Sequence, residues 1–178
     1  VLQLLGAEYG PFEWRPRYEP IWELIYTILS QHTSDVNSER AFNKLFSEFG
    51  SPSTIASAEV SKIEKTIHSA GLFRIKARRI KEVLNHILRE IGSFDLSFLS
   101  EMPMDDAKKW LKNLDGIGPK TAAIILCFSF GMPAMPVDTH IFRVAKRLGF
   151  IGSKVTADQA HDILESMIPP EDIYSFHL

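Results

Sequence analysis

Apolar residues recur along this chain at spacings of three and four positions, the period of an amphipathic α-helix. Two of these stripes are Ile21, Leu24, Ile25, Ile28 and Leu29, and then Ile80, Val83, Leu84, Ile87, Leu88 and Ile91. Helix stops follow such segments at Gly50 and Gly92, and Thr156 with Gln159 matches a capping box at the start of a late helix. No segment alternates apolar and polar residues as a strand does. The pattern predicts an all-α protein of roughly nine or ten short helices.

Composition and net charge exclude few classes of protein. The chain has 178 residues, 45% of them hydrophobic, which is enough for one large domain or two small ones with a real core. A net charge of -2 predicts no particular partner, because a nucleic-acid-binding protein needs its basic residues gathered on one face. The single cysteine, Cys127, cannot form an internal disulfide, which favours a reducing compartment such as the cytoplasm. Because it lies in an apolar run, it is interpreted as a buried, inert thiol. No apolar stretch is long enough to span a membrane.

The stretch "LDGIGPKTAA", which ends at Ala123, carries the first candidate chemistry. A helix is expected to end near Leu114, and a new one to begin at Pro119. Gly116 and Gly118 permit positive φ and put no side chain over the turn, so the N–H groups of the new helix can approach a phosphate. An ordinary turn between two helices would also explain a Gly-x-Gly pair. The full string is more specific than a Gly-x-Gly pair, and it resembles a helix-hairpin-helix motif, which binds the DNA backbone.

Lys120 stands in the first turn of the new helix, where the helix dipole disfavours a cation. A structural lysine is expected at the opposite end of a helix. The position makes sense if the amine loses its proton and acts as a nucleophile, and we expect partial burial to contribute.

Asp138 begins the following helix in "MPVDTHIFRVAKRLG", and capping that helix would by itself account for the residue. A helix from Lys120 to Phe130 rises roughly 15 Å. The extended, proline-containing segment 131–137 can cover up to about 23 Å. The chain can therefore return and bring Asp138 beside Lys120. This would place an amine and a carboxylate together, next to a turn that can bind a phosphate.

From "ILSQHTSD" through the hairpin to "VDTHIFRVAKRLG", the chain resembles the endonuclease III branch of the helix-hairpin-helix DNA glycosylase superfamily. The resemblance implies a six-helix barrel domain at about 20–137, with the helix-hairpin-helix at about 104–130. A second helical domain would combine 1–19 with 138–178. It further implies a monomer in the bacterial or archaeal cytoplasm. Its partner would be double-stranded DNA that contains a damaged base or an abasic site.

The same resemblance implies a bifunctional DNA glycosylase and abasic-site lyase that removes oxidised pyrimidines. Lys120 matches the family's nucleophile, which attacks the sugar C1′, forms a Schiff base and leads to β-elimination. Asp138 matches the catalytic aspartate, which stabilises charge on the sugar or assists deprotonation of the lysine. Two alternatives stay open: a non-catalytic DNA-binding module, and a related glycosylase for another lesion such as 8-oxoguanine.

DNA contacts are expected from three places. The hairpin contributes Gly116, Gly118 and Thr121, and the helix after Asp138 contributes His140, Arg143 and Arg147. The family often has glutamine where His32 stands, as the wedge that fills the space of the flipped base, so Gln31 and His32 are both candidates. The basic residues after Asp138 are explained equally well as solvated surface, and a second basic run, from Arg74 to Lys81, is better explained in that way.

Endonuclease III enzymes usually carry a four-cysteine iron–sulfur cluster just past the point where this chain stops. Cys127 does not match any of its ligands, so we expect no metal site within the chain. A [4Fe-4S] cluster is expected if the native chain continues past Leu178.

Overall fold

A computed structural model describes residues 2–10 and 12–178, so Val1 and Pro11 of the predicted 1–19 segment lie outside the described residues. The described residues contain helices and no β-strand, which confirms the all-α prediction. The α-helices are α1 Leu2–Tyr9, α2 Pro20–Ser30, α3 Asp35–Phe49, α4 Pro52–Ser57, α5 Val60–Thr66, α6 Phe73–Ile91, α7 Met104–Lys112, α8 Pro119–Phe130, α9 Thr139–Arg147, α10 Ala157–Met167 and α11 Ile173–His177. Short 3-10 helices occupy His68–Ala70, Ser97–Glu101 and Pro170–Asp172. Within the described ranges, no helix has both the length and the apolar character needed to cross a bilayer.

Local capping signals explain many of the helix ends. Gly50 and Gly92 end α3 and α6 in the left-handed conformation, at φ 68° and 71°, where a side chain would be strained. At the start of α10, Thr156 Oγ1 accepts a hydrogen bond from Gln159 N, and Gln159 Oε1 accepts one from Thr156 N. The predicted capping box is therefore confirmed.

The chain forms two compact units. The first, here the α2–α6 unit, consists of 18–98 and 113–116. Its core contains most of the predicted stripes, and its largest fully buried side chains are Leu24, Ile25, Ile28, Leu29, Leu45, Ile55, Ile63, Ile67, Ile80, Leu84, Ile87 and Leu96. Leu88 is 41% exposed and Ile91 is only partly buried, so the predicted stripe on α6 is wrong at these two residues of its last turn. The second, the α7–α11 unit, consists of the residues up to Arg17 together with 99–112 and 117–178. These units divide the chain at other points than the predicted 20–137 barrel, and the barrel assignment stays a prediction.

Helix α8 is the central element of the α7–α11 unit. All residues from Thr121 to Ser129 are buried, because the helix is apolar around its whole circumference. The N-terminal segment packs on its far end, where Trp14 Nε1 donates a 2.8 Å hydrogen bond to the carbonyl of Cys127. Burial of the body of α8 fixes the helix firmly and leaves its first turn at the surface.

Candidate active site

Lys120 is the second residue of α8, and its side chain is exposed. Gly118 is the N-cap residue of the helix, and because glycine has no side chain it supplies no side-chain acceptor. The first turn contains no acidic residue. The free N–H groups at this helix end carry partial positive charge and suit an anion such as a phosphate. The expected partial burial of Lys120 is wrong, because the amine reaches the surface.

The two hairpin glycines differ in conformation. Gly116 has φ 78°, as the turn prediction required. Gly118 has φ −91° and ψ −179°, an extended backbone that any residue adopts, so the positive φ that glycine permits is not used there. Thr121 is only 5% exposed, so its side chain is not available at the surface, and its DNA contact stays a prediction.

Asp138 caps helix α9. Its Oδ1 accepts hydrogen bonds from His140 N at 2.9 Å and from Ile141 N at 2.7 Å, which confirms the predicted cap. Both bonds use the same oxygen atom. The second carboxylate oxygen, Oδ2, takes no part in the cap and is left for another partner.

Two side chains of α10 hold the segment that leads to Asp138. Glu165 Oε2 accepts a 2.8 Å hydrogen bond from Met135 N, and His161 Nδ1 donates a 2.8 Å bond to the carbonyl of the same residue. Glu165 Oε1 also pairs with Lys108 Nζ at 2.5 Å, in surroundings that leave each side chain less than a fifth exposed. The sequence pattern gave no sign of the two bonds to Met135, since they reach backbone atoms 30 and 26 residues away.

His177 holds the same segment from α11. Its Nδ1 donates a 3.0 Å hydrogen bond to the carbonyl of Pro136, and its ring packs edge-on against Phe128 of α8. Burial lowers the pKa of His177, the bond to Pro136 and the charge of Asp138 raise it, and the charge of Lys120 lowers it. Both predicted catalytic residues therefore act electrostatically on one imidazole ring within the α7–α11 unit.

The basic residues predicted to contact DNA lie on α9. His140, Arg143 and Arg147 are exposed and follow one another at spacings of three and four, so they share one face of the helix. Arg143 Nη2 donates a 3.1 Å hydrogen bond to His140 Nδ1. This face begins immediately after Asp138.

The turn after α2 separates the two wedge candidates. Gln31 Oε1 accepts a 2.8 Å hydrogen bond from Arg79 Nη1, so this side chain is engaged within the α2–α6 unit. His32 is exposed and has φ 50°, an uncommon conformation for a residue with a side chain. Of the two wedge candidates, His32 is therefore the one with an exposed side chain, and its role as the wedge stays a prediction. The sequence left the choice open because Arg79 lies 48 residues away.

An iron–sulfur cluster does not fit the residues of this chain. Among the described residues, no group of three or more His, Cys, Asp or Glu side chains could hold a metal ion. Cys127 is 1% exposed, and burial raises the pKa of its thiol to about 12, so it supplies no thiolate ligand. The cluster expected past Leu178 stays a prediction.

Comparison with known proteins places the chain among DNA repair proteins. The model of the "HhH-GPD superfamily base excision DNA repair protein" family matches residues 25–170. Endonuclease III of Thermotoga maritima is 34% identical over 156 residues, which cover 88% of this chain and 68% of that protein. A candidate DNA glycosylase of Arabidopsis thaliana is 35% identical over 148 residues, which cover 83% of this chain and 50% of the plant protein. The chain thus spans about half to two thirds of the length of these relatives.

Among solved structures, a trapped endonuclease III–DNA covalent intermediate superposes on 99% of this chain and 79% of that chain. Its TM-score is 0.83 at 28% sequence identity. The similarity covers both compact units and the segments that carry Lys120 and Asp138.

Proposed function

The chain belongs to the HhH-GPD superfamily of base excision DNA repair proteins, and we propose that it is a DNA glycosylase of the endonuclease III type that also cleaves the strand. Its proposed substrate is duplex DNA that contains an oxidised pyrimidine or an abasic site. Relatives named endonuclease III and the solved covalent intermediate with DNA support this proposal.

The observation that carries the proposal is the placement of Lys120. An exposed primary amine stands on a helix end that suits a phosphate, and no acidic residue of the first turn pairs with it. In the proposed reaction, Nζ attacks the sugar C1′ while the C1′–N bond breaks and the base leaves with a proton. Opening of the sugar ring gives a Schiff base. Loss of a C2′ proton then breaks the C3′–O bond and nicks the strand.

Asp138 is the second proposed catalytic residue. Its Oδ1 is occupied by the cap of α9, which fixes the orientation of the carboxylate and leaves Oδ2 for the reaction. A carboxylate with this orientation stabilises positive charge that develops on the sugar, or accepts a proton from the Lys120 ammonium. The bonds of Glu165, His161 and His177 to the preceding segment limit its movement.

DNA binding is assigned to three features. The N–H groups at the start of α8 donate hydrogen bonds to a phosphate, and the exposed face of α9 with Arg143 and Arg147 neutralises further phosphates. His32 enters the duplex to fill the space that the flipped base leaves. These contacts recognise the shape and charge of the DNA backbone. Recognition of a particular lesion therefore depends on the residues that contact the flipped base.

Borohydride trapping tests the proposal directly. Purified protein is incubated with a duplex that contains thymine glycol and is then treated with borohydride, which reduces a lysine Schiff base to a stable adduct. Wild type is expected to give a covalent adduct and a nicked strand, while Lys120→Gln retains DNA binding and gives neither. An adduct that persists in Lys120→Gln would overturn the assignment of Lys120. A wild type that binds DNA and gives no cleavage and no adduct would favour the non-catalytic binding module.

A further inference from the structure

Lys76 is a buried cation in the α2–α6 unit. Its side chain is 2% exposed, although it lies in the basic run from Arg74 to Lys81 that could have been solvated surface. Its Nζ donates to the carbonyl of Leu29 at 2.6 Å, to the carbonyl of Ala70 at 2.6 Å and to Thr33 Oγ1 at 2.5 Å. All three ammonium protons are therefore used.

The three acceptors are neutral oxygen atoms, so no carboxylate among them offsets the cost of burying the charge. Burial accordingly lowers the pKa of Lys76 to about 8. A lysine in this position costs stability that an apolar residue would not cost. The role of the buried ammonium group is therefore sought in the segments of chain that it holds in place.

The acceptors belong to two separate stretches of the chain. Leu29 lies in the last turn of α2 and Thr33 lies in the turn that follows it, whereas Ala70 ends the 3-10 helix before Gly71. The Thr33 hydroxyl also donates to the carbonyl of Ala70, which ties the two stretches together a second time. Gly71 has φ 57°, and a Cβ there would lie 3.7 Å from Thr33 Oγ1, so the two stretches approach closely.

His32 lies in the middle of this arrangement. Its neighbour Thr33 is held by Lys76, and its other neighbour Gln31 is held by Arg79, one turn further along α6. Both residues that flank His32 are thus fixed from the same helix. His32 itself keeps φ 50° and an exposed side chain, a conformation that persists only where the surroundings determine it.

We propose that Lys76 is a positioning residue, whose buried ammonium group holds the turn 31–33 so that His32 projects for insertion into duplex DNA. This inference rests on the proposed function, since it concerns the wedge of the same reaction. Lys76 touches neither DNA nor the reacting atoms. Its effect is therefore confined to steps that require a base to leave a duplex.

The test compares duplex with single-stranded substrate. Thymine glycol is placed in the same sequence as a duplex and as a single strand, because only the duplex needs a wedge. Lys76→Met keeps the length of the side chain and removes the donors. It is expected to lower cleavage of the duplex roughly ten- to a hundredfold and to leave single-strand cleavage near wild type. His32→Ala is expected to give the same pattern, and the double variant no further loss.

Two further variants serve as controls. Lys81→Met removes a half-buried lysine of the same helix that donates a 2.6 Å bond to the carbonyl of Ala58, which is not part of the turn 31–33, and it should keep the duplex preference. Lys76→Gln retains a donor group and should recover part of the duplex activity. If Lys76→Met does not fold, Lys76→Gln carries the comparison.

Equal losses on both substrates in Lys76→Met, or an unchanged duplex activity, would overturn the proposal. Hydrogen exchange at Thr33 N–H, which donates to the carbonyl of Ser30, gives a readout that needs no activity. Exchange should become faster in Lys76→Met and not in Lys81→Met. An inactive wild type would refute the proposed function, whereas unchanged exchange in Lys76→Met would refute the positioning role.

Discussion

The guanidinium group of Arg79 occupies the space in which a side chain on Gly116 would begin. A Cβ on Gly116 would lie 2.2 Å from Arg79 Nε, and the backbone there has φ 78°. A Cβ on Gly118 would meet no atom within 4 Å, and its backbone is extended. The two glycines of one short motif therefore serve different purposes: Gly116 is required by the fold, and Gly118 leaves open space at the start of α8.

Alanine substitutions should separate these purposes. Gly116→Ala is expected to lower the free energy of unfolding by about 1–2 kcal/mol, because the left-handed backbone disfavours a side chain and Arg79 must move. Gly118→Ala should leave that free energy within about 0.5 kcal/mol of wild type. It should weaken binding of damaged and undamaged duplex alike, since the methyl group occupies the approach to the helix N–H groups. Urea unfolding and fluorescence anisotropy measure the two effects.

A Gly116→Ala protein as stable as wild type would show that neither the left-handed backbone nor the displacement of Arg79 costs stability. Loss of affinity for damaged DNA alone in Gly118→Ala would mean that this residue lies where the damaged base binds. It would contradict a contact between the start of α8 and the DNA backbone.

Local signals in the sequence were enough for the all-α class, for most of the longer helices and for the cap of α9, but they did not predict the short helix α4. The Asp138 cap and the Thr156–Gln159 box each depend on residues two or three positions apart, and both are observed. The contacts that set the candidate site in place are different in kind. Lys76 reaches Leu29 across 47 positions, and the acceptor is a backbone carbonyl that any residue type would supply. Such pairs follow from tertiary packing and leave no periodic or compositional trace.

Asp138→Asn should separate capping from chemistry. Asparagine is as good an N-cap residue as aspartate, so the free energy of unfolding is expected to stay within about 1 kcal/mol of wild type. Turnover should fall by roughly 10²- to 10⁴-fold, because the amide carries no charge and does not accept a proton. Single-turnover cleavage of a thymine glycol duplex provides the measurement. Wild-type turnover in Asp138→Asn would mean that Asp138 is only a cap.

Glu165→Ala should affect the reaction from outside the site. The change leaves Met135 N–H and the Lys108 ammonium without their partner, which is expected to cost about 2–3 kcal/mol of unfolding free energy. Loosening of the segment before Asp138 should lower turnover while DNA affinity stays near wild type. Urea unfolding, single-turnover cleavage and anisotropy measure the three quantities.

Asp106→Ala is the matched control for Glu165→Ala. It breaks an exposed pair with Lys109 on α7, and such pairs contribute about 0.5 kcal/mol or less. Stability and turnover should both stay near wild type. Equal effects of the two substitutions would mean that the Glu165 contacts have no special relation to the segment that carries Asp138.

Lys76 and Cys127 should give the stability of the protein opposite dependences on alkaline pH. The pKa of Lys76 falls from its ordinary 10.5 to about 8 on folding, so between these values the unfolded chain holds a proton that the folded chain has lost. Stability therefore rises with pH through this window, by roughly 1 kcal/mol per pH unit. The pKa of Cys127 rises from 9.0 to about 12, so above pH 9 the unfolded chain loses a proton that the folded chain keeps, and stability falls.

Lys76→Met isolates the first dependence, because the Cys127 contribution is common to both proteins and cancels in their difference. Urea unfolding at several pH values between about 7 and 10 gives the free energy of unfolding of wild type and variant. The difference, wild type minus Lys76→Met, should be flat below pH 8 and should then increase with pH, since only wild type gains by releasing the buried proton. A difference that stays constant across the range would mean that Lys76 keeps its proton when buried, and that its three oxygen partners compensate fully for the lost hydration.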